Sequence, residues 1–486
     1  MNPPGRPFRV AVIGAGMSGI LCGIKLREAG FDDITIFEKA DRIGGTWREN
    51  RYPGLSCDVP SHSYTYAFEP NPEWSHLFAF GPEIQAYFER VVAKYDVARL
   101  VRLNSEIVRA DYADGGWRLG LADGGEERFD AVIAATGFLH RPAWPDIPGL
   151  DDFAGPCFHS ACWDESVSLD GKRVGLVGTG STAAQITGAV VDRVAHLSLF
   201  QRTAQWVLAY PNTPYTEAQR EEFRANPGKM REVYDYWQDR FRATFAEAVI
   251  GNEEEQRKIE HYCRMNLEQN VHDPVLRAKL TPDYRAACKR LIMSDTFYPA
   301  IQRPNAALVT EGIERIEAGG VRTRDGRLHE LDVLVLATGF RAHDFMRPMK
   351  ITGRDGLTLD EAWAEATPAY RSVALPGFPN FFMLCGPNSP IGNFSVIRIS
   401  EVQLGYITQL LQKLKAGDCR ALEPTAEATT RFLAEVREAM KKTVWVSGCR
   451  SWYLDAQGNP VAWPWTFERF VADMAAPRLE EFRLSA

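Results

Sequence analysis

The chain has 486 residues, of which 45% are hydrophobic and 24% are charged, and its formal net charge is −7 at pH 7 with a pI near 5.8. This length predicts two or three domains, and no apolar run approaches the roughly 20 residues of a membrane span. The acidic balance argues against a nucleic-acid partner. The amino terminus lacks an apolar signal segment and the 9 cysteines stand at irregular spacing, so we expect a cytoplasmic protein with reduced thiols and no membrane partner.

The first elements are two strand-like runs joined by a glycine-rich turn and a helix. The run 9–13 leads into Gly14-x-Gly16-x-x-Gly19, and the second strand ends on Glu38. At such a junction free N–H groups and a helix dipole meet a pyrophosphate, and a carboxylate about 20 residues on accepts ribose hydroxyls. The unit predicts a dinucleotide site, and unmodified ribose hydroxyls fit the adenosine of FAD. A glycine turn without a ligand is the alternative.

A second unit of the same kind follows. Its turn reads Gly178-x-Gly180-x-x-Ala183, and alanine is permitted at the third position. The expected acid at the end of its second strand is replaced by Arg202 and Thr203, which offer a 2′-phosphate a cation and a hydroxyl. The unit therefore predicts an NADPH site, unless Arg202 is only a solvated surface charge.

The later elements complete an α/β fold. The similar runs 129–138 and 331–340 each close one unit, each after a probable hairpin turn, and the charged stretch 216–277 predicts helices that roof an active site. A strand and an amphipathic helix with Leu404, Ile407, Leu411 and Leu414 on one face come next. We thus predict two Rossmann-like dinucleotide-binding domains, for FAD and NADPH, with a helical insertion. The expected ranges are the FAD domain at 1–150, a linker at 151–165, the NADPH domain at 166–212, the helical insertion at 213–284, the second part of the NADPH domain at 285–340, and the second part of the FAD domain with a C-terminal substrate-site segment at 341–486.

One motif lies between the two units. It consists of Phe153, Gly155, His159, Trp163 and Asp164 in the spacing F-x-G-x-x-x-H-x-x-x-W-D, which resembles the signature of Baeyer-Villiger and related flavin monooxygenases. The resemblance implies that this segment couples the position of the NADPH domain to the flavin site. A histidine that is simply buried in the core is the alternative for His159.

Further matches extend the resemblance over nearly the whole chain, except for the helical insertion. Residues 44–58 are similar to a longer family motif that ends on a functional aspartate, here Asp58. The stretch from Cys288 through Arg290 resembles the segment that carries the catalytic arginine, and 386–390 and 448–453 match as well. The chain therefore resembles a class B flavin monooxygenase of the type I Baeyer-Villiger family.

The resemblance implies oxidation of a ketone to an ester or lactone with NADPH and O2, through a C4a-peroxyflavin. The peroxide must stay deprotonated to attack a carbonyl, and an arginine is a permanent cation that does not donate its proton at working pH. Arg290 would be that catalytic cation, and Asp58 would hold it. An ordinary structural salt bridge between them is the alternative.

The same resemblance implies further cofactor contacts, although core packing is an equal interpretation for the apolar ones. Those expected for FAD are Thr46, Trp47, Asp58, Tyr64, Ile107 and Val396, and those expected for NADPH are Thr179, Ser181, Thr182, Gln185, Lys289 and Arg290.

Other functions stay open at this point. A flavin monooxygenase for amines or sulfides would use a protonated peroxide, against which the arginine and aspartate argue. A flavoprotein disulfide reductase needs a redox-active cysteine pair, and no C-x-x-C occurs. A non-catalytic flavoprotein would leave the NADPH unit without a purpose. No His or Cys cluster has metal-ligand spacing, so no metal is predicted. The expected substrates are a small organic molecule and O2. The sequence does not indicate which organic molecule it is or what the oligomeric state is.

Overall fold

The computed structural model of the protein describes residues 6–455 and 457–485. The strands are β1 (Arg9–Ile13), β2 (Asp33–Phe37), β3 (Val101–Arg102), β4 (Ile107–Ala113), β5 (Gly116–Leu121), β6 (Glu126–Phe129), β7 (Ala131–Ala134), β8 (Cys157–His159), β9 (Arg173–Val177), β10 (His196–Phe200), β11 (Val207–Leu208), β12 (Ile292–Met293), β13 (Ala306–Val309), β14 (Ile313–Glu317), β15 (Gly320–Thr323), β16 (Leu328–Glu330), β17 (Val333–Leu336), β18 (Lys350–Thr352), β19 (Phe381–Met383), β20 (Ala421–Pro424) and β21 (Phe482–Ser485). The helices are α1 (Met17–Glu28), α2 (Thr46–Glu49), α3 (Gly81–Lys94), α4 (Ser181–Val190), α5 (Glu217–Ala225), α6 (Pro227–Phe241), α7 (Glu247–Val249), α8 (Glu253–Asn270), α9 (Pro274–Leu280), α10 (Phe297–Ile301), α11 (Leu359–Ala362), α12 (Val396–Ala416), α13 (Ala426–Met440) and α14 (Phe467–Asp473).

The first sheet forms the core of the amino-terminal dinucleotide fold. Its strands run parallel in the order β19-β7-β1-β2-β3. The central strand β1 is apolar and almost entirely buried, as expected for a parallel strand that is covered on both faces. The register pairs Ile13 with Phe37 on one side and with Ala134 on the other. The strand ends therefore meet at one edge, where β1 runs into the glycine turn before α1. The predicted β-α-β unit is confirmed.

The second sheet repeats this arrangement in the order β13-β10-β9-β17-β8, again all parallel. Leu336 of β17 pairs with Val177 and with His159. The signature segment, expected as a linker, thus supplies the edge strand β8, whose residue Phe158 is buried in the core. Two parallel sheets with their glycine turns confirm the α/β class with two Rossmann-like domains.

Two antiparallel hairpins lie ahead of the closing strands. The first joins β5 to β6 and the second joins β15 to β16. Gly124 and Gly326 occupy the turns with φ of 92° and 83°, a region that favours glycine. Both predicted hairpin turns are confirmed.

The predicted helical insertion is also confirmed, because α5 to α9 lie between β11 and β12, with a π-helical turn at Arg242–Ala246. The insertion is anchored on the first domain, where the His62 ring packs against Tyr215 and Phe223 at centroid distances of 5.3 and 4.5 Å. Burial lowers the pKa of His62 to about 4, so this ring is a neutral part of the contact at pH 7.

The carboxyl-terminal part returns to the first domain. The hydroxyls of Ser18 and Ser400 lie 3.0 Å apart and join α1 to α12 near their amino-terminal ends. None of the helices among the described residues is long and apolar enough to cross a membrane. The four leucine and isoleucine residues predicted to share one face of α12 are all buried: Leu404, Ile407, Leu411 and Leu414.

The expectation of reduced thiols is wrong for two cysteines. Cys288 and Cys449 form a disulfide, with Cα atoms 6.2 Å apart and a sequence separation of 161 residues. Folding brings these two distant segments within the Cα separation that a disulfide requires, which the irregular spacing in the sequence did not indicate. The other seven cysteines are free.

Candidate active site

The first glycine turn forms a close-packed cradle at the start of α1. A Cβ on Gly19 would lie 1.9 Å from the Gly14 carbonyl oxygen, and Gly14 has a φ of 105°, so neither position tolerates another side chain without strain. Gly16 is the residue before α1, and the space beside it is bounded by Gly45, whose Cα would lie 3.5 Å from a Cβ on Gly16. Such a cradle fits the backbone approach to a pyrophosphate.

Glu38 lies directly after β2 and is only 4% exposed. Its carboxylate accepts hydrogen bonds from the Ala15 and Ala40 N–H groups at 2.9 and 3.0 Å, and from Arg48 Nη1 at 3.1 Å. The carboxylate is therefore fixed beside the glycine cradle. This is where an acceptor for ribose hydroxyls belongs.

The other residues expected at FAD lie on several elements of the first domain. Trp47, next to Thr46 at the start of α2, donates from Nε1 to the Tyr64 hydroxyl at 3.1 Å. Ile107 is the first residue of β4 and is packed in the core, while Val396 is the first residue of α12.

Two residues that sequence analysis missed lie just before α12. Asn393 is 1% exposed, and neither its amide nitrogen nor its oxygen finds a hydrogen-bond partner among the described residues. The buried Ser395 hydroxyl lacks one as well. Buried polar groups without partners are costly, and they are commonly satisfied by a ligand. Together with the cradle they fit a polar cofactor such as FAD.

The second cradle follows β9. Gly178 has a φ of 120°, and a Cβ there would lie 2.3 Å from the Ala337 carbonyl oxygen, whereas the space beside Gly180 is open. Thr179 donates to the Thr203 carbonyl at 2.9 Å, which ties this turn to the end of β10. Ser181 begins α4.

A cationic cluster lies at the end of β10. Burial and the neighbouring Arg202 both lower the pKa of Lys289, with Asp283 acting in the opposite direction. Neither Arg202 nor Lys289 forms a salt bridge with a carboxylate in the part of the chain that the structure describes. Two neighbouring cations without a salt-bridged acid among the described residues are chemically suited to bind a phosphate.

The two domains meet where α4 packs on the motif at 44–58. Gln185 accepts a hydrogen bond from the Tyr52 hydroxyl at 3.0 Å and donates to the Ser56 carbonyl at 3.0 Å, and Thr182 lies 3.4 Å from the same tyrosine. A Cβ on Gly54 would lie 2.7 Å from the Gln185 carbonyl oxygen. The motif thus serves as a docking surface for the second domain, a role of Tyr52 and Ser56 that sequence analysis missed.

Asp58 and Arg290 meet at this junction, 232 residues apart in sequence. Arg290 Nε and Nη2 donate to the two carboxylate oxygens at 2.9 and 2.6 Å, and Nη1 donates to the Gly392 carbonyl at 2.9 Å. Burial opposes the charge on Arg290, but Asp58 and Tyr453 together outweigh it and keep the pKa of the guanidinium above its ordinary value. The side chains are 32% and 23% exposed. Asp58 thus holds the Arg290 cation in place while part of the arginine side chain stays exposed.

Tyr453, near the carboxyl terminus, completes the surroundings of this cation. Its ring is 1% exposed and its hydroxyl lies beside the Arg290 guanidinium. Burial raises the pKa of Tyr453, although Arg290 lowers it, so the phenol is neutral at pH 7. Sequence analysis had noted the motif at 448–453 but had given this tyrosine no role.

The signature residues lie on and around the edge strand β8 of the second sheet. Phe153 is buried, and a Cβ on Gly155 would lie 2.5 Å from the Asp332 carbonyl oxygen. His159 is fully buried, and its Nδ1 accepts from the Ala161 N–H at 3.1 Å. The remaining two signature residues are Trp163, which packs on Phe158, and Asp164, which is exposed and bonded to Ser166.

Comparison with known proteins places this geometry in a family. Residues 8–216 match the family described as flavin-binding monooxygenase-like. The chain is 45% identical over 480 residues to an uncharacterized monooxygenase of Mycobacterium tuberculosis, covering 99% of this chain and 97% of the relative. It is 40% identical over 483 residues to a Baeyer-Villiger monooxygenase of Streptomyces coelicolor, covering 98% and 92%. The crystal structure of cyclohexanone monooxygenase from Rhodococcus sp. Phi1 bound to NADP+ superimposes with a TM-score of 0.88 at 30% identity, covering 99% and 100%.

Two dinucleotide-type glycine cradles, together with an Asp–Arg pair at the domain junction, fit a flavin- and nicotinamide-dependent oxidoreductase. Within that class, the chain belongs to the flavin-binding monooxygenases of the Baeyer-Villiger type. The assignment made from the sequence motifs is confirmed, and the disulfide reductase and non-catalytic alternatives are set aside.

Proposed function

We propose that this enzyme binds FAD and NADPH and oxidises a ketone to an ester or lactone with O2. The observation that supports this reaction best is the Asp58–Arg290 pair at the junction of the two domains. Bound FAD and NADPH supply the hydride transfer and the activation of O2. Arg290 supplies a permanent positive charge beside the oxygen that attacks the carbonyl, and Asp58 fixes the direction of that charge.

The two cradles have separate roles in this proposal. The turn Gly14–Gly19 and Glu38 hold the FAD, with Asn393 and Ser395 available to its polar groups. The turn Gly178–Gly180 holds the NADPH, and Arg202 and Lys289 bind its 2′-phosphate as an unpaired cationic cluster. NADH lacks this phosphate and leaves the two cations repelling each other.

A panel of substrates tests the reaction. The purified holoenzyme is incubated with NADPH and O2 and, in turn, cyclohexanone, 2-octanone, acetophenone and the thioether thioanisole, with product mass as the readout. We expect an ester or lactone 16 mass units heavier than its ketone, with NADPH used in equal amount. Sulfoxide as the main product, with no ester or lactone from any ketone, would instead establish the heteroatom oxygenase.

The compartment that we propose is the cytoplasm. Seven of the nine cysteines are free thiols, which favours a reducing compartment, whereas the Cys288–Cys449 disulfide favours an oxidising one. A fractionation experiment with an epitope-tagged chain tests this location.

A further inference from the structure

The Arg290 guanidinium has more donors than its two known partners use. A guanidinium carries five N–H groups. The two oxygens of Asp58 and the carbonyl oxygen of Gly392 accept three of them, one each from Nε, Nη1 and Nη2. One N–H on each of the two terminal nitrogens is left over. The partners of these two remaining N–H groups decide which of them can point toward the reacting oxygen.

The Tyr453 hydroxyl lies where one of these donors can be held. It adjoins the guanidinium, yet it has no well-aligned hydrogen-bond partner among residues 6–455 and 457–485. A Cβ on Gly392 would lie 2.2 Å from this hydroxyl oxygen. Only glycine at position 392 therefore leaves room for the phenol beside the carbonyl that Arg290 binds.

The segment that carries Tyr453 is itself fixed at three points. Cys449, four residues earlier, is bonded to Cys288, two residues before Arg290. The Trp452 carbonyl lies 2.8 Å from His343 Nε2, and the Tyr453 ring packs against Trp445 at a centroid distance of 5.3 Å. The phenol thus has little freedom to leave the guanidinium.

We propose that Tyr453 is a positioning residue for Arg290: its hydroxyl oxygen accepts one of the two remaining N–H groups, so that a single N–H faces the reacting oxygen. Tyr453 acts through Arg290 and does not itself take part in the chemistry. This inference rests on the proposed role of Arg290.

The test compares two buried tyrosines in the holoenzyme. Tyr453→Phe removes the hydroxyl and keeps the ring, and Tyr406→Phe is the matched control, since Tyr406 is equally buried and its hydroxyl also lacks a partner among the described residues. The readouts are hydrogen peroxide released per NADPH, product per NADPH with the best ketone of the panel, KM for NADPH, FAD content and melting temperature.

For Tyr453→Phe we expect a roughly ten-fold loss in the ratio of product to hydrogen peroxide, the size expected for one hydrogen bond to a charged group. The KM for NADPH, the FAD content and the melting temperature should match those of Tyr406→Phe. Because the tyrosine acts through Arg290, adding Tyr453→Phe to Arg290→Ala should cause no further loss.

Three results would overturn the inference. The first is an unchanged ratio of product to hydrogen peroxide in Tyr453→Phe, and the second is an equal loss of that ratio in Tyr406→Phe. The third is a loss of FAD or of thermal stability in Tyr453→Phe, which would assign the hydroxyl a structural role. Failure of the proposed function is distinguishable, because it would appear as unchanged coupling in Arg290→Ala itself. If Arg290→Ala uncouples the enzyme and Tyr453→Phe does not, only the inference about Tyr453 falls.

Discussion

Replacing Arg290 by alanine separates the reduction of the flavin from the use of oxygen. The substitution removes three hydrogen bonds to protein acceptors, and it leaves the Asp58 carboxylate unpaired at the same place. The reacting oxygen thereby loses an attractive charge and gains a repulsive one. Loss of one preorganised stabilising group costs roughly 100- to 1000-fold in rate, and the unpaired carboxylate puts the expected loss of product at the upper part of this range.

Arg290→Lys is the graded companion of this variant. Lysine keeps the positive charge but cannot donate to both oxygens of Asp58 in the planar arrangement seen here. We expect it to form roughly ten-fold more product than the alanine variant because the charge is kept, and less than the wild type because a charged hydrogen bond is lost.

Three measurements on each variant decide the matter. Anaerobic bleaching of the flavin by NADPH should still go to completion, because the glycine cradles and the cationic cluster are untouched. Under O2, a peroxidase-coupled assay should show that nearly all the NADPH consumed ends as hydrogen peroxide, and mass spectrometry should show little ester or lactone. An Arg290→Ala enzyme that forms ester or lactone at the wild-type ratio to NADPH would refute the assigned role.

Three further predictions concern other parts of the molecule. Arg202→Ala should raise the KM for NADPH roughly 10- to 100-fold, because one charged hydrogen bond is lost, and leave that for NADH unchanged; equal use of both nicotinamides by the unmodified enzyme would contradict the phosphate site. His159→Ala should keep FAD bound but raise hydrogen peroxide release, measured as above, and loss of flavin with precipitation would support the core-histidine interpretation. In denaturant without reductant, thiol titration should find 7 free thiols, since Cys288 and Cys449 are joined, and 9 after reduction; finding 9 before reduction would contradict the disulfide.

Local patterns made most of the fold predictable. The strand before Gly14 and the strand before Gly178 are recognisable because a buried parallel strand is a short apolar run, and the turn that follows needs glycine for backbone reasons. The hairpins at Gly124 and Gly326 follow from turn chemistry alone. Each of these features is encoded within about ten residues.

The features that were missed depend on distant segments. The Cys288–Cys449 bond spans 161 residues, and no spacing rule connects its two ends. The Tyr453 hydroxyl acquires its place only because Gly392 has no side chain, and β8 becomes an edge strand only when β17 pairs with it. In each case tertiary packing assigns the role, and the local sequence holds no periodic signal for it.

The Asp58–Arg290 pair lies where the two domains dock, next to the contact at α4. Asp58 belongs to the first domain, whereas Arg290 lies two residues before β12, which pairs with β11 beyond the second cradle. Gln185 binds Tyr52 and Ser56, the latter two residues before Asp58. Burial raises the pKa of Tyr52 to about 12, so its hydroxyl stays a neutral donor over the working pH range. We therefore expect a rotation of the second domain that breaks the contact of Gln185 to disturb the position of the Asp58 carboxylate as well.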